Sequence, residues 1–273
     1  MQLQPEQIAL WANKLEQDTG VHLGALQASL LGSQIKLRMQ ALGLEDADSY
    51  YAQVCSSPPE WQSLLARLLV KETQFFRNRE ALAGIQAFVR KKLATQTQGF
   101  GIDVCSLGCA TGEEAYSLAA SLQQALAEPN ESGHGNYYSV TGVDLCAAAL
   151  QTARAGLYPK SRLQQLTAAE IAAIFDPEQQ QFRVKQAIKN RVTFIRGNLC
   201  DIDSVVAVPM DVIVCLNVLI YFRRWRRRAL LNQLVNRLKP GGLLIIGSGE
   251  LPGWQNSHLT ALNLGGVQAY QRH

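Results

Sequence analysis

Histidine is scarce in this chain. The four residues His22, His134, His258 and His273 stand far apart with no partner at metal-ligand spacing, so no bound metal is expected. Cysteine offers no framework either: of six, only Cys105 and Cys109 lie close together, at a spacing that matches no zinc or redox signature, and the thiols read as free residues of a reducing compartment. No run of about 18 apolar residues occurs anywhere. The opening MQLQPEQIALWANKL places polar residues inside an amphipathic pattern, where a signal peptide has an apolar centre. A soluble, cytoplasmic protein without membrane insertion is expected. Charge is also sparse, at 18% of residues with a net +4, so composition neither requires nucleic acid nor excludes it. Internal repeats and low-complexity tracts are missing too.

What the chain has is apolar residues, 47% of 273, enough for one large domain or two modest ones. From residue 5 to about 93 they recur at helical spacing, as in IALWANKL, ALQASLLGSQIKLRMQALGL and WQSLLARLLV, which predicts an all-helical N-terminal domain over 1–93 that ends in a linker helix. After the polar TQTQGF the pattern changes. GIDVCSLG, YYSVTGVDL, DVIVCLN and GGLLIIGSG read as buried strands separated by helices, with a last strand near GVQAYQ. Such alternation predicts an α/β fold over 94–273 with a doubly wound, Rossmann-like sheet. FRVKQAIKNRVTFIRG is too short for a crossover helix and is assigned to a small antiparallel β insertion over about 176–196.

The chemistry-bearing residues stand at strand ends. GIDVCSLG runs into CATGEEAYSLA, which places Gly108 and Gly112 around a tight turn opening a helix. A turn of this kind brings backbone N–H groups against a ligand, or serves only to pack strand on helix; it lacks the GxGxxG spacing. Asp144 ends the next strand, where an acidic side chain accepts hydrogen bonds from ribose hydroxyls or caps the following helix. Asn217 leaves DVIVCLN, and Asn198 with Leu199 closes RVTFIRGNL. Any one of these suits an ordinary turn. Their repetition at successive strand ends points to a ligand crevice.

TQFFRN from Thr73 to Asn78, SLGCATGEEAYSLA, ARAGLY, NVLIYF and LKPGGLLIIGSGE follow one another as in the CheR-type chemotaxis receptor methyltransferases, which the chain resembles over almost its whole length. The resemblance implies the helical N-terminal domain, the methyltransferase domain and the antiparallel insertion. It implies S-adenosyl-L-methionine as cofactor, S-adenosyl-L-homocysteine as product, and methylation of glutamate side chains on a chemoreceptor to give methyl esters. Implied cofactor contacts fall on Thr73, Arg77, Glu114, Asp144, Asn198 with Leu199, and Leu216 with Asn217, beside the turn glycine Gly108. Tyr221 matches the tyrosine that faces the reaction centre.

The chain departs from that pattern in several places. Lys71 replaces an asparagine among the cofactor contacts, Leu216 an arginine, and GSGE at Gly247–Glu250 the usual GHSE. FDPEQQQFRV is short and lacks the glycine of relatives that dock a receptor's C-terminal tether, so tether binding is not expected. RRWRRR, Arg223 to Arg228, puts positive charge where it opposes a helix dipole.

Methyl transfer to a glutamate needs no general base, because a carboxylate with a pKa near 4.3 is already ionised at neutral pH. Arg77 is expected to anchor the cofactor edge and orient the incoming carboxylate, or to bridge the domains; Tyr221 contributes a hydroxyl beside the methyl group, or packs the crevice. Glu114 is a cofactor contact or a plain residue of the first helical turn. Lys36 and Arg38, with Lys71, are candidates for a positive face that reads the acidic cytoplasmic helical signalling domain of the receptor. Two alternatives remain open at this point. One is a nucleic-acid methyltransferase using RRWRRR, although LNVLIYF lacks the Asn/Asp-Pro-Pro-aromatic pattern of base amino-group methylation. The other is a cofactor-binding scaffold without turnover.

Overall fold

Helix-compatible spacing and well-placed caps build the first part of the chain in the computed structural model, which describes residues 3–69, 72–95, 100–127 and 136–273. Helix α1 (Pro5–Thr19) ends on Gly20 in the left-handed conformation, and α2 (Ala25–Leu42) follows. Helix α3 (Ala47–Ser56) starts where Asp46 accepts the Ser49 N–H, and α4 (Pro58–Leu68) where Ser57 accepts the Glu60 N–H ahead of a proline. Trp11, Leu31, Ile35, Met39, Tyr50, Val54, Leu64 and Leu68 bury one apolar face of each helix in a shared core.

Helix α5 (Arg79–Ala94), expected as the linker, behaves differently. Its Ala81, Leu82, Ile85 and Val89 sit in the core of the following sheet, so the helical core closes at Leu68 and α5 is a layer of the second domain.

That sheet contains β1 (Gly101–Leu107), β2 (Tyr137–Asp144), β6 (Val192–Arg196), β7 (Met210–Cys215), β8 (Leu238–Gly247), β9 (Leu259–Asn263) and β10 (Val267–Arg272), in the order β6-β2-β1-β7-β8-β10-β9. The first five run parallel and the last two antiparallel, so the C-terminal end supplies two strands where one was expected. Burial on both faces explains the continuous apolar runs. Val104, Val212 and Val214 face α5 and α6 (Glu113–Ala125), while Cys105, Ile213 and Cys215 face α11 (Arg224–Asn236). Helix α7 (Ala147–Ala155) joins the first layer and the short α10 (Ile202–Val205) the second.

The antiparallel insertion is displaced from the expected 176–196. Its sheet takes β3 (Leu157–Pro159), β4 (Phe175–Glu178) and β5 (Gln181–Val184) in the order β3-β5-β4, with α8 (Ala168–Ile174) between and α9 (Gln186–Lys189) after. Val192–Arg196 pairs in parallel with β2 as the edge of the main sheet. A three-residue strand carries no usable periodicity, and only Phe194 of β6 is buried, so neither element had a strong pattern to read.

Candidate active site

Strand order reverses at β1, which has β2 on one side and β7 on the other, so the chain ends of these strands part around a crevice. One cavity opens there. Its wall includes Gly108 and Glu114 after β1, Asp144 at the end of β2, Asn198 and Leu199 after β6, and Leu216 and Asn217 after β7. Thr73, Arg77 and Tyr221 complete it, with Thr19, Val21 and Leu23 from the α1–α2 connection. Every cofactor candidate therefore meets in one place except Lys71, which lies outside the described residues.

The glycine turn shapes this space by what it omits. Gly108 has φ 73°, and a Cβ there would stand 2.3 Å from Val218 Cγ2. Gly112 has φ 96°, with Ala153 Cβ 2.8 Å from the same kind of added carbon. Four of the turn's N–H groups are taken up by the protein itself, as the strand-on-helix packing alternative expects. Gly108 and Cys109 both donate to the Val143 carbonyl, at 2.8 and 3.0 Å, Gly112 donates to the Cys109 carbonyl, and Ala110 donates to Asp144 Oδ2 at 2.9 Å. Asp144 also accepts the Cys146 N–H at 2.7 Å, so it braces both the turn and the start of α7 while facing the cavity.

Backbone strain collects here too. Four non-glycine residues among those described have positive φ, and three of them, Phe76 (52°), Ala110 (47°) and Asn217 (61°), line the cavity. Each costs about 1–2 kcal/mol, a cost that clusters at ligand sites. Phe75 is buried in the core, 2% exposed and edge-on to Tyr158 and Phe175, whereas its neighbour Phe76 packs against that core and also lines the cavity. The alternation FF conceals the difference, since adjacent residues in a turn face opposite ways.

Electrostatics distinguish the cavity's groups. Burial raises Glu114 to a pKa of about 7, only partly offset by the Ser106 hydroxyl, which donates to Oε1 at 2.7 Å, and by the Arg77 charge. Burial likewise raises Tyr221 against the opposing pull of Arg77, so its phenol stays protonated at neutral pH. Arg77 is exposed at the rim, where one guanidinium nitrogen donates to the Glu72 carbonyl at 3.1 Å. Behind the Val218–Tyr221 turn, buried Glu250 accepts the Gly247 N–H at 2.9 Å; burial raises its pKa while the amides of Val218, Leu219 and Ile220 oppose the rise.

The end of α1 is fastened to the same loops. Asn198 Nδ2 donates to the Asp18 carbonyl at 2.8 Å and its Oδ1 accepts the Cys200 N–H, so the Asn198 amide is occupied by protein. His22 N–H donates to the Tyr221 carbonyl at 2.7 Å, and Glu16 takes both Arg223 and His22. Residues so distant in sequence leave no local signal, which is why this edge of the site was missed.

Comparison with known proteins agrees with the geometry. Two family models match: "CheR methyltransferase, all-alpha domain" over residues 6–69 and "CheR methyltransferase, SAM binding domain" over residues 71–264. The chain belongs to the CheR methyltransferase family. The chemotaxis protein methyltransferase of Klebsiella aerogenes is 32% identical, covering 86% of this chain and 79% of that protein. Chemotaxis protein methyltransferase 2 of Pseudomonas aeruginosa is 30% identical, over 85% and 81%. A probable biofilm formation methyltransferase, WspC, of the same organism is 27% identical over 86% of this chain but 55% of its own length. This CheR family member is an S-adenosyl-L-methionine-dependent methyltransferase.

The cavity of this CheR chain fits that cofactor on its own chemistry. S-adenosyl-L-methionine carries sulfonium and ammonium charge and no phosphate. The cavity presents Glu114 and Asp144 as acceptors and has spent the amides of Gly108, Cys109, Ala110 and Gly112 internally, which suits a cation and offers little to a pyrophosphate.

The candidate partner face fares less well. Arg38 is not free: it makes a two-pronged ion pair with buried Glu60, at 2.9 Å through Nε, while Tyr50 donates to the same carboxylate at 2.7 Å. This triad locks α2 onto α3 and α4. Lys36 is half-buried on α2 and lies outside the cavity wall. In the arginine cluster, Arg223 is paired with Glu16, and Arg227 donates to the carbonyls of Phe222, Ile220 and Glu250. Two of the arginines that suggested nucleic acid are thus structural.

Proposed function

We propose that this chain methylates glutamate side-chain carboxylates on the cytoplasmic helical signalling domain of a chemoreceptor, giving methyl esters. Carrying this reading is the pairing, in one cavity, of acceptors suited to a cationic methyl donor with Arg77 and protonated Tyr221 at its open side. Chemotaxis methyltransferases among its relatives support the receptor as acceptor. No helix among the described residues is long and apolar enough to cross a membrane, in keeping with work at a receptor's cytoplasmic face.

S-adenosyl-L-methionine supplies an electrophilic methyl group on sulfur. Glu114 and Asp144 would hold its charged and hydroxyl groups, while Thr73, Gly108, Asn198, Leu199, Leu216 and Asn217 wall the space around it. Arg77 orients the incoming carboxylate by charge-assisted hydrogen bonds. Tyr221 donates a hydrogen bond and takes no proton, because its raised pKa keeps it a phenol and the carboxylate is already ionised. The rate enhancement rests on alignment, which supplies about 7–11 kcal/mol when two groups are well oriented. The helical domain would read the receptor, with Lys36 available and Arg38 occupied. The β4–β5 hairpin turns at Gln179 without glycine, and we do not assign it a tether.

The test is transfer of radiolabelled methyl from S-adenosyl-L-methionine to receptor-containing membranes, read as methanol released by alkali. Release is expected from the wild type. Arg77→Ala and Tyr221→Phe proteins that stay folded are expected to lose it by about 10²-fold or more if orientation carries the reaction. Label found only in RNA or DNA, or tight cofactor binding with no transfer, would refute the glutamate reading.

A further inference from the structure

The arginine cluster that opens α11 is only partly explained by the fold. Arg224 and Arg228 are exposed and form no ion pair among the described residues. Both stand at or near the helix N-terminus, where cations cost stability by opposing the helix dipole. Between them Trp225 is 62% exposed, and Arg226 stacks over its ring at 4.8 Å. A shallow depression here is lined by Ile220, Phe222, Arg224, Trp225 and Arg228, and no acidic side chain lines it. Ile220 is itself 50% exposed.

Its position gives the depression meaning. Ile220 and Phe222 line both it and the methyltransferase cavity, and Tyr221 lies between them. A segment resting on this surface therefore passes directly beside the residue assigned to the reaction centre. Its chemistry is that of an amphipathic target: Trp225 and Ile220 offer apolar contact, while Arg224 and Arg228 offer charge that no protein carboxylate neutralises.

We propose that the Ile220, Arg224, Trp225 and Arg228 surface docks an acidic amphipathic helix of the protein substrate, flanking the glutamate that enters the cavity. This rests on the glutamate-methylation reading and adds a second contact to the helical domain. The acidic helix is favoured over single-stranded nucleic acid because a base stacking on Trp225 would compete with Arg226 for the ring, and Ile220 offers no aromatic face. Charge complementarity at such a rim acts mainly on encounter and is screened by salt.

The probe is a fluorescein-labelled cytoplasmic chemoreceptor fragment, with its methylation-site residues as glutamate or as glutamine, titrated against the wild type and an Arg224→Glu/Arg228→Glu protein. Anisotropy gives the fragment Kd, calorimetry the S-adenosyl-L-homocysteine Kd, and alkali-labile methanol the KM. Expected are a fragment Kd and KM raised about tenfold or more in the double variant, an unchanged S-adenosyl-L-homocysteine Kd, and wild-type binding that weakens with salt. Trp225→Ala should weaken fragment binding without removing its salt dependence. Equal fragment Kd values in wild type and double variant would overturn the docking surface, as would a wild type that does not bind the fragment, or one whose arginines bind single-stranded RNA or phosphatidylglycerol vesicles more tightly. Binding through the patch with no methyl ester formed would instead overturn the glutamate reading and leave the docking surface standing.

Discussion

Replacing Glu114 with glutamine should make the ligand-free protein more stable at alkaline pH and worse at binding its cofactor. In the folded protein this carboxyl is raised from its ordinary value of 4.5 to about 7, chiefly by burial. An unfolded chain releases the proton near 4.5, so folding is neutral to this group in acid and is increasingly penalised as pH climbs towards 7. At about 1.4 kcal/mol per pH unit, the full penalty above pH 7 is about 3 kcal/mol. Glutamine stays uncharged, and its Oε1 still accepts the Ser106 hydroxyl that donates at 2.7 Å. Urea titrations of both proteins should therefore coincide below about pH 4 and diverge by about 3 kcal/mol at pH 8, glutamine the more stable. Calorimetry with S-adenosyl-L-homocysteine supplies the other half. If the ionised form holds the ligand's positive charge, wild-type affinity should fall by up to about tenfold per pH unit below 7, and the glutamine variant should bind weakly with no such slope. A glutamine protein no more stable than wild type at pH 8, with an unaltered pH profile of binding, would refute the reasoning.

Other perturbations test neighbouring parts. Gly108→Ala places a carbon 2.3 Å from Val218 Cγ2 at a residue with φ 73°, and should cost about 2–4 kcal/mol in urea midpoint stability together with ligand affinity; adding Val218→Ala should recover part of the clash but not the backbone cost. Arg38→Ala strands buried Glu60 and should destabilise by about 2–3 kcal/mol at pH 7, below a fully buried pair because Arg38 is partly exposed. Burial pushes Glu60 up, but the hydrogen bonds of Arg38 and Tyr50 outweigh it and lower the pKa, so that stability is present above pH 4.5 and is lost in acid; wild type and variant should converge near pH 3 in thermal melts. Glu16→Gln weakens the hold on Arg223 and His22, and since the pair is half-exposed the stability change should stay under about 1 kcal/mol while protease nicking at residues 20–24 increases.

Fold and site were not equally legible. Buried parallel strands advertise themselves as short apolar runs closed by turn residues, so β1, β2, β7 and β8, and with them Gly108, Asp144 and Asn217, were placed from sequence. The same physics hid β3, three residues long, and β6, with a single buried side chain. Polar pairings were the least legible. Arg38 and Lys36 look alike on a helical wheel, yet Arg38 is tied to Glu60 twenty-two positions away and Lys36 is not. Arg223 and Arg224 are adjacent, and only Arg223 finds Glu16, 207 positions distant. Nor does a glycine turn reveal from spacing whether its amides face a ligand or the next strand.

The cavity gathers what the rest of the chain avoids. Three non-glycine residues in left-handed backbone line it, and around it Glu113, Glu114 and Glu250 all have pKa values raised first by burial. One carboxylate oxygen each of Glu113 and Glu250 is buried without a hydrogen-bond partner. Glutamates 113 and 114 open α6, where the helix dipole recovers part of this cost, and Arg162 approaches Glu113 at 3.7 Å to recover a little more. Of the three, Glu114 lines the open space, where a cationic ligand would offset the cost of ionising it. At a hundredfold excess over Kd such a ligand stabilises the fold by about 2.7 kcal/mol through mass action alone. If Glu114 holds the ligand's charge as proposed, binding and folding are coupled through it: the proton that stabilises the empty cavity is then the one that ligand binding must expel.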